Sequence, residues 1–499
     1  MISPSNHVLL RLGASALLAI TAVAVTPIDA AAGNDRYKSY HHYKHKRYGH
    51  HRGDHQKPPP APTAPEYQVD ASWPKSLPNH WIIGQVGGIA VDGQDNVWII
   101  QRQRTLTNDE AWATDAIVYR CDDGSLVNSP MQPCMDGSEA TPEDGLGNPR
   151  PDGPPAECCA PAPAVMQFDT EGNLLRAWGG PADPGFIGPH GVGQPGCDPA
   201  EGCQWPAGEH GIFVDHEGYV YIGGNGNGNG NCGADNPCVY AGTHGADSML
   251  LKFSADGTFM YQVGDPGHGT PDSNDTNGAA NGTPQLSRPA DSEVDPETND
   301  LYIADGYSNH RVVVVDADTG MYLRRWGAYG QNPVSDTPTP ADAMGDDPNF
   351  KNPVHCVRIV GDKVYVCDRI NNRIQVFDKN VVGEPCQNPG MEVGQCGFLG
   401  EVYIAPETLG NGSTWDIDTS PDAAQSCLFN PDGTNQKVWI LERANLAILA
   451  SFGEGGRSAG QFHWVHNLAT DSNGNVYTAE VDTGKRAQKF VHGDDADCN

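Results

Sequence analysis

Four things are scarce in this chain of 499 residues. Past the N-terminus it has no long apolar run and no stretch with a helical repeat of about 3.6 residues. It has little positive charge: 31 Lys and Arg stand against 63 Asp and Glu, a formal net charge of −32. None of its 14 cysteines falls into a zinc-knuckle spacing. The first absence leaves no segment beyond the N-terminus long enough to span a bilayer. The second argues against helical bundles and favours an all-β, turn-rich architecture, in keeping with 60 Gly and 40 Pro. The third excludes nucleic acid and anionic membrane as partners of the acidic body, and suits divalent cations.

The N-terminal region differs from the rest. Arg11 precedes an apolar run from Leu12 to Val25, and Ala30, Ala31 and Ala32 follow. That pattern predicts a signal peptide over residues 1–32 and a secreted or periplasmic product. Residues 33–65 hold seven of the basic residues and six histidines (His41, His42, His45, His50, His51 and His55), then the stiff linker PPPAPTAP. A solvated disordered tail is expected there. A His-rich tract also binds transition metals, so an extracytoplasmic metal-binding protein is one reading of the whole. The cysteines fit an oxidising compartment as staples on long loops. Close pairs are Cys197 with Cys203, Cys232 with Cys238, and Cys386 with Cys396. Cys356 and Cys367 face each other across a hairpin turn at Gly361-Asp362.

The body repeats. A strand ends in Asp, a short Gly turn follows, then a second strand. The copies read GGIAVDGQDNVWIIQR (87–102), HGIFVDHEGYVYIGGN (210–225), ADSEVDPETNDLYIADGY (290–307), HCVRIVGDKVYVCDR (355–369) and HNLATDSNGNVYTAEV (466–481). A degenerate copy runs from about Thr414 to Arg443, with KVWILER as its second strand. Insertions at about 105–163, 225–245 and 380–400 separate them. Six four-stranded units that cannot bury their faces alone predict a six-bladed β-propeller over 66–494, with NHL-like repeats. EYQVD (66–70) is placed to close the ring, and a monomer is expected.

Aligned on the first residue of the first strand, the copies hold Gly87, His210, Ala290, His355, Thr414 and His466. In a propeller this strand lines the axis, so alternate members stand about 120° apart and three imidazoles converge. That is a three-nitrogen metal site with open positions, with zinc leading and copper, iron or manganese as alternatives. His190, His216, His310 and His463 fall outside the register. Residues just after each second strand look onto the same mouth: Arg102, Tyr307, Arg369 and Arg443. A phenol there can carry a proton and an arginine can hold a carboxylate.

These residues carry a family resemblance. The chain resembles the peptidyl-α-hydroxyglycine α-amidating lyases in EHGIFVD, ADGYSNHR, NPVHC, DRINNRIQVF and FHWVHN. The resemblance implies a carbon–nitrogen lyase that splits an α-hydroxyglycine at a peptide C-terminus into an amide and glyoxylate. It implies zinc on His210, His355 and His466, Tyr307 as base, and Arg102 or Arg369 orienting the carboxylate of a peptide or small-molecule substrate. The family places a calcium-binding aspartate after its last histidine. This chain has Asn467 there, so calcium would rest on Asn467, the Ile212 carbonyl and the acidic body. The competing expectation is a non-enzymatic NHL-type propeller that binds protein or glycan through its loops.

Overall fold

The computed structural model describes residues 64–107, 110, 119–120, 126–127, 141–142, 158–180, 197, 202–226, 246–267, 272–333, 348–383, 396–493 and 498. The chain divides between Pro60 and Ala61, and every described residue belongs to the second unit. The expected signal peptide and nearly all of the tail lie outside the described residues. So do His190, Cys232, Cys238 and Cys386, and most of the three insertions.

The described residues are nearly all β, with two short 3-10 turns and no α-helix. Six antiparallel four-stranded sheets form the blades of a β-propeller. The innermost strands are Gln85–Val91, Glu209–Val214, Asp291–Val294, Val354–Val360, Asp418–Thr419 and Val465–Thr470. Neighbouring innermost strands pack on one another around the axis. Tyr67–Asp70 pairs with Arg486–His492 and supplies the outer strand of the sixth blade, so the ring closes as the sequence predicts.

The core is six apolar clusters, one at each seam between successive blades. A strand inside a blade is buried on both faces, and side chains alternate between the two seams. RVVVVD shows this plainly: Val312 and Val314 enter the seam with blade four, Val313 and Val315 the seam with blade two. The Asp that follows most first strands has a local cause. Asp92, Asp215 and Asp471 each accept backbone N–H groups two and four residues on, which fixes the Gly turn.

Blade five corrects one expectation. KVWILE is its third strand, and its second is Cys427–Asp432, which reads CLFNPD. Asn-Pro-Asp-Gly looks like a turn, yet the strand continues through Pro431, opposite Val438. Arg443 therefore follows a third strand, at the blade end away from the mouth. Its guanidinium donates to the carbonyls of Gln425 and Ala424.

Disulfides join Cys197 to Cys203 and Cys356 to Cys367, the latter pair directly opposite in the hairpin register. Cys158–Cys159 and Cys427–Cys498 are also bonded, and Cys396 is disulfide-bonded. No helix among the described residues is long and apolar enough to cross a membrane.

Candidate metal centre

Each histidine of the aligned slot sits at an irregularity in its strand. The register slips by one residue between Glu209 and Ile212, between Val354 and Cys356, and between Val465 and Asn467. A bulge re-aims the side chain of its extra residue, and here that residue is the histidine. Blade one slips in the same place, at Gly87. A Cβ on Gly87 would stand 2.7 Å from the Glu209 carbonyl oxygen, so glycine lets the second blade approach there.

The three imidazoles meet on the axis. Ring centres are 5.0 Å apart for His210 and His355, 4.5 Å for His210 and His466, and 4.9 Å for His355 and His466. One nitrogen of each lies within 4.8 Å of the other two, and exposures are 0, 0 and 2 %. The outer nitrogen is committed in every case. His210 Nδ1 donates to the Ala290 carbonyl at 2.7 Å, and His355 Nδ1 to the Trp415 carbonyl. His466 Nδ1 donates to Asn467 Oδ1, with the Gly87 backbone as a second partner. Each histidine thus leans on the slot of the next blade. The occupants Gly87 and Ala290, and Trp415 beside Thr414, are its supports.

That arrangement fixes the tautomer and leaves the three Nε2 lone pairs facing inward. Burial holds all three imidazoles well below the usual histidine range, His466 at about 3. Neighbouring imidazoles, Arg102 and Arg369 push the same way. Three neutral inward lone pairs with fixed outer N–H groups suit a divalent transition metal with an open position.

Tyr307 stands over this triangle. Its hydroxyl is 2.9 Å from His210 Nε2 and 3.1 Å from His355 Nε2. The turn that carries it is pinned from below. Asp305 accepts from Arg311 at 2.8 Å and from Asn309, both wholly or nearly buried. The same Asp–Arg pair recurs as Asp368–Arg373 beneath Arg369. A Cβ on Gly306 would fall 1.9 Å from the Val354 carbonyl oxygen, so only glycine lets this turn lie against the strand of His355. A large aromatic follows the strand because the turn delivers it to the three histidines.

Arg369 donates to the Tyr307 hydroxyl at 3.1 Å and stacks on Trp415 at 4.3 Å. Arg102 is half-buried at the same mouth and donates to the Glu209 carbonyl, Gln85 and Asn225. Ile212 and Asn467 line an axial cavity beside the histidines, together with Asp291 and Asp416. Asn467 Nδ2 donates to Asp416. Burial raises both carboxyls, Asp416 to about 7. The other histidines stay apart: His310 Nδ1 donates to the Phe350 carbonyl, His463 meets Thr483, and His216 is exposed.

Three neighbours escaped the repeat alignment. Trp415 is one residue past the slot, and its ring lies 5.6 Å from both His355 and His466. Asn225 follows the second strand of blade two, in the position that Arg102, Tyr307 and Arg369 take in theirs, and that register could have found it. Arg288 lies two residues before its slot with its guanidinium 5.4 Å from the Tyr307 ring.

Fold and site together define a six-bladed β-propeller with NHL-like repeats whose axis carries a three-histidine cluster able to bind a metal. The chain is similar to proteins of two kinds. The chain is 27% identical over 196 residues to peptidyl-glycine alpha-amidating monooxygenase B of Xenopus laevis, covering 39% of this chain and 19% of that protein. It is 35% identical over 196 residues to monooxygenase A of the same frog, covering 39% and 18%. The human NHL repeat-containing protein 3 is 25% identical over 344 residues, covering 66% of this chain and 73% of that protein. The chain therefore spans about a fifth of the length of the amidating monooxygenases it matches. No family profile matches the chain.

Proposed function

We propose that the protein is a metal-dependent carbon–nitrogen lyase. Its reaction splits an α-hydroxyglycine-type carbinolamide, or a related α-hydroxy substrate, into an amide and glyoxylate. The observation that carries this reading is the Tyr307 hydroxyl, which lies within hydrogen-bond reach of two inward Nε2 atoms and of Arg369. His210, His355 and His466 would hold the metal, zinc by preference for three imidazoles with an open position. When bound, the ion supplies Lewis acidity toward the substrate hydroxyl. Tyr307 takes the hydroxyl proton, the carbon–oxygen bond becomes a carbonyl, and the carbon–nitrogen bond breaks. The proton then passes to the leaving amide nitrogen, so acid and base roles fall to one phenol. Arg369 steadies negative charge on that phenol, and Arg102 and Arg369 add positive potential for a carboxylate.

Calcium, if present, would occupy the axial cavity at Ile212 and Asn467, where Asp291 and Asp416 are the available carboxylates. Secretion or a periplasmic site accords with the disulfides, and a monomer with a complete ring. The similarity to NHL repeat-containing protein 3, over more of the chain, favours a second reading as a non-enzymatic binding propeller.

The test is glyoxylate release from an N-acyl-α-hydroxyglycine by the zinc-loaded protein. Release by the wild type and its loss in Tyr307→Phe at unchanged metal content is expected. No release from a chain that holds one zinc would defeat the lyase reading.

A further inference from the structure

Three arginines stand at the metal mouth, and their hydrogen bonding differs. Arg102 spends all three guanidinium nitrogens on neutral acceptors: Nε on the Glu209 carbonyl, Nη1 on Gln85 and Nη2 on Asn225. Arg369 gives Nη1 to the phenol and lays its plane on Trp415. Arg288 gives only Nε, to the Asn225 carbonyl at 2.8 Å. Its two terminal nitrogens have no partner among the described residues, and it forms no ion pair with them. The acid whose charge reaches it, Asp247, accepts from the amides of Ala207, Gly208 and Gly226.

The backbone holds Arg288 in an uncommon state. Its φ is +59°, a region that a long side chain rarely adopts. Two hydrogen bonds keep it there, from its N–H to the Asp247 carbonyl at 2.7 Å and from the Tyr307 N–H to its carbonyl at 3.2 Å. The arginine and the phenol are thus tied through the main chain, and the guanidinium sits 5.4 Å from the phenol ring. Burial pulls its pKa below the usual arginine range, and Tyr307 and Asp247 offset the lost hydration only in part. A half-buried guanidinium with a free two-pronged edge is matched by a carboxylate.

We infer that Arg288 is the residue that grips the substrate carboxylate, through its two terminal nitrogens, and that Arg102 is a positioning residue. Arg102 ties the strand end bearing His210 to Asn225, and Arg288 hangs on the same asparagine. The inference rests on the reading of this mouth as a site for an α-hydroxy carboxylate. It moves the anchoring role from Arg102, which has no free edge, to a residue outside the repeat register.

The test uses the full-length, zinc-loaded protein and two stable probes, glycolate and its uncharged counterpart glycolamide, titrated by calorimetry. The wild type should prefer glycolate. Arg288→Gln should lose about 30-fold in glycolate affinity, as expected for a charged two-bond contact, with glycolamide affinity and metal content unchanged. Arg288→Lys keeps the charge without the fork and should lose an intermediate amount, which covers a Gln variant that fails to fold. Arg102→Gln should weaken both probes alike. The inference is overturned if either Arg288 variant binds glycolate like the wild type, if the wild type does not distinguish the probes, or if the selective loss appears in Arg102→Gln. Glyoxylate release is scored separately. Arg288-dependent glycolate binding without release would sink the lyase and leave the carboxylate site standing.

Discussion

Asn467 offers the sharpest test of how the histidines are aimed. His210 and His355 rest their outer nitrogens on main-chain carbonyls, which no substitution removes. His466 rests on a side chain, Asn467 Oδ1, whose own amide is anchored by Asp416 at 3.2 Å. Loss of such an outer partner lowers metal affinity about 10- to 100-fold, or roughly 1.4 to 2.7 kcal/mol. The Gly87 backbone remains as a second acceptor for His466, so Asn467→Ala should fall at the lower end, about 10-fold. Zinc affinity would be read on the folded apoprotein by competition with a coloured chelator near neutral pH. Circular dichroism would confirm that the blades persist. An affinity within about twofold of the wild type would refute the idea that Asn467 orients the third imidazole.

Other outcomes follow from the same geometry. Tyr307→Phe should cut turnover by about 10²- to 10⁴-fold in a glyoxylate assay while zinc content, by mass spectrometry, stays at the wild-type level. The histidines' folded pKa values are depressed, so protons compete for the free nitrogens only as pH falls toward those values, near 3 for His466. In a chain lacking residues 1–65, zinc content after dialysis at pH 5 should therefore match that at pH 8, and a loss centred on the ordinary histidine range would contradict the buried triangle. Asp416 is the opposite case: its folded pKa is raised to about 7, so its contribution to stability is present below the ordinary aspartate range and lost as pH rises through about 7. Asp416→Asn should hence gain on the wild type between pH 4 and pH 8 in denaturant midpoints, whatever its effect at any single pH. Cys427–Cys498 closes a separation of 71 residues, so Cys498→Ser should cost about 4 kcal/mol in chemical unfolding on a chain-entropy account.

The architecture was legible because its cause is local and repeated. An Asp that caps the turn between two strands leaves a mark in most copies, and alternation into two seams leaves continuous apolar strands such as RVVVVD. The histidines were legible for the same reason, as one register position in alternate copies. What escaped depends on departures from the repeat. Pro431 lies inside a strand, against its usual meaning, which displaced the reading of blade five and put Arg443 at the wrong end. The register slips that aim the histidines are relations between two strands and have no residue signature. Arg288 owes its place to a left-handed backbone angle fixed by Asp247 and Tyr307, and no spacing rule reaches that. Trp415 was adjacent to an aligned slot but stood outside it, since its carbonyl does the supporting.

The ring closes between the first strand of the propeller to be synthesised and the last. Tyr67–Asp70 waits without a sheet until Arg486–His492 exists, and the blade they complete also carries His466. A nascent or truncated chain that ends before residue 465 can present two of the three nitrogens at most. Tight metal binding by all three histidines would therefore be a late event, open only once the first and last strands of the ring have paired. A metal bound at this site would then act as a proofreading signal, lodging in molecules with a closed ring and passing over partial ones.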